Sequence, residues 1–115
     1  MTVQITKTYR GISPEMLHDE LRSLVQKQGV MVSNAKLQTY SLPSGATQSR
    51  VTLVLKTQAE READQKECGS AHIISSPMGE TKMMLDLDEK LLPQERISSF
   101  QADLDFILSS YEVKW

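Results

Sequence analysis

The sequence predicts one domain of the α+β class over residues 1–115, an antiparallel β-sheet with two helices on one face. Four segments in which apolar and polar residues alternate lie between two segments of helical spacing, and a fifth precedes the first helix. The length of 115 residues and the hydrophobic content of 39% suit a single core. No linker or internal repeat divides the chain.

The first strand and the first helix follow from local signals. The strand is predicted up to Tyr9, because from Val3 onward β-branched residues alternate with polar ones. Ser13 and Pro14 predict the helix start, since a serine hydroxyl accepts a free backbone N–H and proline suits the first turn. Leucines follow at helical spacing, and Gly29 predicts the helix end.

The next two strands are expected to form a hairpin. Val30 to Tyr40 has strand composition, but its apolar parity changes, which predicts a bulge near Ser33-Asn34. Pro43-Ser44-Gly45 predicts a turn, and Val51 to Leu55 predicts the third strand. Gln58 to Glu67 has no apolar residue larger than alanine and predicts a solvated tip or one helical turn.

The last part of the chain predicts two paired strands and a helix. The strands are Ser70 to Ser76 and Met83 to Leu87, joined by a turn at Pro77-Met78-Gly79. Pro93 opens the last helix. Its apolar stripe consists of Ile97, Phe100, Leu104, Ile107, Leu108 and Tyr111.

The predicted element order is β-α-β-β-β-β-α. Over the whole chain this order resembles that of TATA-binding-protein-like domains and START-like helix-grip domains. The resemblance lies in element order alone, so it implies a type of fold and no site or activity.

Composition excludes several classes of function. The longest apolar run is too short to span a membrane, and the first residues lack a secretory signal, so we expect a cytoplasmic protein. The single cysteine, Cys68, fits a reducing compartment and an inert thiol. Dispersed glycines and an aromatic content of 5% argue against nucleotide cofactors and nucleic acid.

Charge is unevenly distributed along the chain. The net charge is −2, but residues 1–59 carry seven Lys and Arg against three Asp and Glu, and residues 60–115 carry six against twelve. A basic and an acidic half can complement each other within one molecule or between two copies. The asymmetry is therefore compatible with a homodimer.

The dipeptide Met83-Met84 provides the main candidate surface. A strand directs adjacent side chains to opposite faces, so if Met83 enters the core then Met84 leaves it. The same parity places Val54 with Met84, and Ile74 is a further candidate. Val54, Ile74 and Met84 thus predict an apolar patch on the face without helices, used by a non-enzymatic interaction or homodimerising module.

Two alternatives stay open. The first is a small apolar ligand bound between the sheet and the C-terminal helix, in a pocket lined by the adaptable side chains of Met16, Met31 and Met83.

The second alternative is an enzyme that uses Asp86 and Asp88, with His72 as a third candidate group. Strand parity places both aspartates on one face, where paired carboxylates can divide acid and base chemistry. His72 has no second ligand at metal-binding spacing, and His18 has only Glu15 three residues before it on the predicted helix. The sequence therefore assigns no catalytic residue, metal or cofactor and favours the interaction module.

Overall fold

The computed structural model describes residues 2–59, 61–75 and 79–113 of the chain. The predicted α+β class and the element order β-α-β-β-β-β-α are confirmed. The elements are β1 (Thr2–Arg10), α1 (Pro14–Lys27), β2 (Val30–Ser41), β3 (Thr47–Thr57), a short 3-10 helix (Glu62–Asp64), β4 (Glu67–Ser75), β5 (Glu80–Asp88) and α2 (Gln94–Leu108).

The strands form one antiparallel sheet in the order β1-β5-β4-β3-β2, which places β4 in the middle. Buried side chains alternate along the strands, and those of all five strands point to the face that the helices cover. On that face the buried strand residues are Ile5, Tyr9, Val30, Val51, Leu53, Leu55, Ala71, Ile73, Thr81, Met83, Leu85 and Leu87, and Cys68 of β4 is buried as well. We call the opposite side of the sheet the open face.

Helix α1 begins and ends where the sequence predicts. The backbone N–H of Met16 donates to Ser13 Oγ at 3.2 Å, and Pro14 occupies the first turn. After Lys27 the chain turns through Gly29, whose φ of +74° is strained for residues with a side chain. The apolar face of the helix enters the core through Leu17, Leu21, Leu24 and Val25.

Helix α2 buries most of the predicted stripe. Its buried residues are Ile97, Phe100, Leu104 and Leu108. Two predicted members lie elsewhere, because Ile107 is 37% exposed and Tyr111 follows the end of the helix. Seven residues of about 100° each bring Ile107 to within about 20° of the buried Phe100 around the helix, so its exposure follows from its place at the end of α2 and not from its direction.

Strands β2 and β3 form the predicted hairpin. The register shifts between Val32 and Asn34, which confirms the predicted bulge at Ser33. The extra residue keeps apolar side chains on one side: Val32 faces the helices before the bulge, and Ala35 and Leu37 have the same parity after it.

Strands β4 and β5 also pair as predicted. Most of the turn expected between them falls on residues 76–78, which lie outside the described residues. The register of β4 against β3 shifts opposite Leu55 and Lys56, so Cys68 forms a second bulge that the sequence did not predict. The strand therefore starts at Glu67, three residues before the predicted Ser70.

The chain after α2 covers the outer edge of β1. The N–H of Arg10 donates to the carbonyl of Tyr111 at 2.7 Å, and the N–H of Val113 donates to the carbonyl of Thr8 at 2.8 Å. This short antiparallel contact extends the sheet beyond its first strand. No periodic pattern in the sequence indicated it.

Side chains reinforce the same contact. Lys7 Nζ lies 2.8 Å from Glu112 Oε1 and 3.4 Å from Asp105 Oδ1. The hydrogen bond to Glu112 is the main reason that the pKa of Lys7 is raised. Burial raises the pKa of the neighbouring Tyr9 phenol, and the carboxylates of Glu112 and Asp105 raise it further.

Candidate interaction surface on the open face

The open face carries the three residues that the sequence selects as an interface. Val54 lies on β3, Ile74 on β4 and Met84 on β5, and the register gives all three the parity opposite to the core. Met84 is 40% exposed, while Val54 and Ile74 are half-buried. Their use as an interface stays a prediction.

His72 lies at the centre of these residues. It is on the middle strand, directly opposite Thr52 on β3 and Met84 on β5. Ile74 lies two residues along the same strand, and Val54 is a diagonal neighbour on β3. The Nδ1 atom of His72 is buried and has no hydrogen-bond partner among the described residues. We call Thr52, Val54, His72, Ile74 and Met84 the central patch.

Charges of opposite sign flank the central patch. On β5, Lys82 lies two residues before Met84 and Asp86 two residues after it, and strand alternation turns all three to the open face. Arg50 lies in the same cross-strand row as Lys82. Next to the central patch the open face is therefore basic on the side of Lys82 and acidic on the side of Asp86, while farther out each side carries one charge of the opposite sign, Glu80 and Lys56 respectively.

The candidate catalytic groups share the open face without forming a recognisable site. His72 is paired with Met84 and Asp86 with Ser70, so the imidazole and the carboxylate are diagonal neighbours. Asp88 accepts a hydrogen bond from the backbone N–H of Lys90 at 2.9 Å, which stabilises the turn after β5. Within residues 2–59, 61–75 and 79–113, no three His, Cys, Asp or Glu side chains are placed to hold a metal ion.

The three methionines expected to line one pocket lie in different places. Met83 is fully buried in the core, and Met16 on α1 is 53% exposed. Met31 is paired with Lys56 and turns to the open face, because its neighbours Val30 and Val32 face the helices. A pocket that combines all three is therefore not formed by this arrangement.

Two other cavities are present, a small one between the sheet and both helices, lined in part by Val30 and Leu87, and a larger one between the helices. An apolar cavity at the Arg96 end of α2 holds only about 10 Å³, too little for more than a water molecule. A groove of about 350 Å³ opens between the start of α1 and the end of α2. We call it the α1–α2 groove; Ile12, Met16, Ile107 and Tyr111 belong to its apolar lining, and Asp19 and Glu20 lie on the α1 side. The sequence did not predict it, since helical periodicity does not show how far two helices diverge.

The thiol of Cys68 is enclosed. The side chain is fully buried in the bulge of β4, and burial raises its pKa to about 11. A buried protonated thiol is a poor nucleophile.

Comparison with known proteins identifies no relative: no protein-family model, curated protein or solved structure matches the chain. Among the described residues, no helix is both long and apolar enough to cross a membrane.

Proposed function

We propose that this protein is a non-enzymatic interaction module that forms a homodimer through the open face. The observation that carries the proposal is the central patch, which lies in the middle of the one sheet face without a helix among the described residues. Burial of such apolar side chains against a partner is favourable by about 25 cal/mol per Å².

The open face is large enough for a stable interface. Strands about 4.8 Å apart and about 3.3 Å long per residue give five strands of nine residues an area of roughly 24 by 30 Å. This is about 700 Å², close to the roughly 800 Å² that each partner buries in a typical stable complex. The residues around the central patch are polar, as expected of an interface rim.

The charge pattern favours a second copy as the partner. A two-fold axis that runs across the strands at His72 would reverse the strand direction of one sheet over the other. It would set Lys82 of each copy over Asp86 of the other and bring Met84 against its own copy near the axis. Lys36 lies in the same cross-strand row as His72, so the axis would also bring it towards Lys36 of the other copy. It is at the rim of the open face, where its long side chain can stay in water.

Analytical ultracentrifugation at about 10 μM tests the proposal with a matched pair of variants. Met84→Asp should place two carboxylates near the axis, and a loss of about 3 kcal/mol corresponds to a roughly hundredfold weaker dimer. Met16→Asp makes the same change at an exposed methionine on α1 and should leave the dimer intact. Circular dichroism should show both variants folded.

Two results would reject this function. One is a parent protein that sediments as a monomer at every concentration in the series. The other is a pair of variants that weaken association equally, which would show that the open face has no special role.

The α1–α2 groove supports a second candidate, the binding of a small apolar ligand. Its volume of about 350 Å³ lies within the range of known ligand sites. Asp19 and Glu20 beside the apolar lining favour a cationic head group. Decylamine should raise the melting temperature of the parent and of Met84→Asp, but not that of Met16→Asp. Decanoic acid should raise the melting temperature of none of the three proteins. Equal shifts with decylamine in all three proteins would reject the site.

A further inference from the structure

The two edges of the sheet differ in whether another segment of the chain pairs with them. The edge at β1 is covered by the chain after α2, through the hydrogen bonds of Thr8 and Arg10. At the other edge of the sheet the last strand is β2, whose inner side pairs with β3. Within the described part of the chain, no segment pairs with the outer side of β2.

Hydrogen bonds near the hairpin turn identify which groups of β2 point outward. The N–H of Leu42 donates to the carbonyl of Ala46 at 2.8 Å, so this pair is a hydrogen-bonded one. Because such pairs alternate along antiparallel strands, the even residues from Asn34 to Tyr40 bond to β3 and the odd residues turn outward. Ser49 agrees, since its N–H points away from β2 to Ser75 Oγ at 2.7 Å.

The outer side of β2 lacks most of the features that prevent the edge strands of different molecules from pairing. It contains no proline, and Lys36 is its only charged residue. Leu37 is 54% exposed and Tyr40 is 44% exposed. The bulge at Ser33 protects one end only. Long exposed edges with this composition are templates for another strand.

We propose that β2 pairs with β2 of a second copy, antiparallel, about a two-fold axis through Leu37 and perpendicular to the sheet. The regular part of the strand runs from Asn34, after the bulge, to Ser41, and Leu37 is the outward-facing residue nearest its centre. The axis therefore lays the bulged end of each copy beside the turn end of the other. The sheet becomes continuous across both copies, with all helices on one side.

This register uses the outward groups of both strands. Leu37 exchanges backbone hydrogen bonds with Leu37 of the second copy, and Ala35 does so with Thr39. The two exposed leucine side chains meet on the same face, about 5.5 Å apart between Cα atoms. Lys36 lies opposite Gln38, so no like charges face each other. A second copy is thus a partner whose length, polarity and side chains fit this edge.

Edge pairing and stacking of the open face are separate contacts. Edge pairing uses backbone groups at the rim and buries less surface, so it should form at higher concentration than the open-face dimer. Met84 lies three strands away from β2 in the sheet order. The test can therefore be made in Met84→Asp, where the open face is disabled.

Sedimentation of Met84→Asp at about 1 mM is the first experiment, because weak interfaces have dissociation constants in the millimolar to micromolar range. We expect a dimer at this concentration. Adding Thr39→Pro should remove an outward N–H that donates to no described residue of the monomer, so this double variant should sediment as a monomer. The control is Thr6→Pro on β1, at the other edge of the sheet. The N–H of Thr6 points outward, because Thr6 alternates in step with Thr8 and Arg10, whose backbone groups bond outward. This control should leave the edge-paired dimer unchanged.

Amide hydrogen exchange of Met84→Asp gives an independent measurement. The amides of Leu37 and Thr39 should exchange more slowly as the protein concentration rises, while the amide of Gln38, bonded within the hairpin, should be slow throughout. If Thr39→Pro fails to fold, Leu37→Lys replaces it, since two ammonium groups at the axis should also disrupt the pair. A monomer at about 1 mM, concentration-independent exchange at Leu37 or a dimer that survives both substitutions would each overturn the proposal.

Discussion

Gly69 provides the sharpest test of the packing between β4 and β5, because only a hydrogen atom fits at this position. A Cβ atom there would lie 2.3 Å from the carbonyl oxygen of Asp86 and 3.2 Å from Leu87 Cδ2. The contact with oxygen is about 0.7 Å shorter than real Cβ contacts allow, and the obstacle is backbone rather than a flexible side chain. In Gly69→Ala, β4 and β5 must therefore separate near the second bulge.

The expected loss in free energy of unfolding is about 3 kcal/mol, the upper part of the range for overpacked cores. At about 4 °C per kcal/mol for a domain of this size, the melting temperature should fall by roughly 12 °C. Gly45→Ala is the control, because φ is +87° at Gly45 but no atom of the described residues lies within 4 Å of the added Cβ. Backbone strain alone should make it lose only about 1–2 kcal/mol. Urea unfolding followed by circular dichroism measures both; a Gly69→Ala variant no less stable than Gly45→Ala would refute the reasoning.

Three further predictions concern the core. Leu104→Ala should reduce the free energy of unfolding by about 2–5 kcal/mol, because Leu104 is fully buried; a parent-like urea midpoint would contradict its packing. Cys68 should react with a thiol reagent at pH 8 only after unfolding, since its thiol is enclosed and its pKa is about 11; rapid labelling of the native protein would contradict this. The raised pKa values of Tyr9 and Lys7 mean that the folded protein keeps protons which the unfolded chain loses above about pH 10. Their contribution to the free energy of unfolding is therefore complete below about pH 10 and decreases above it. In urea unfolding from pH 8 to 11, the free energy of unfolding should decrease less for Tyr9→Phe than for the parent; an equal decrease in both proteins would contradict the assignment.

Local signals predicted most of the fold because each has a local physical cause. Ser13 satisfies a free N–H within its own helix turn, and Gly29 adopts a backbone conformation that other residues avoid. The bulge at Ser33 was visible because it reverses the apolar alternation of one strand. None of these depends on contacts distant in sequence.

Features that depend on distant contacts were missed or misassigned. Tyr111 continues the apolar spacing of α2, but the chain leaves the helix there to pair with β1. Met31 was assigned to a pocket although alternation from Val30 and Val32 already turns it to the open face. Parity predicted that Val54 and Met84 share a face, whereas the position of His72 between Thr52 and Met84 required the strand register.

The most direct test of the proposed open-face dimer is chemical cross-linking of Met84→Cys. In the proposed dimer the two introduced thiols lie near the axis between sheets about 10 Å apart, a gap that a short bismaleimide can bridge. Cys68 is buried and should stay unlabelled, and Met16→Cys provides an exposed thiol away from the interface. We predict rapid formation of a covalent dimer by Met84→Cys at about 10 μM, and much slower formation by Met16→Cys at the same concentration. Equal rates for the two variants, or no covalent dimer from Met84→Cys, would contradict the assignment of the open face as the interface.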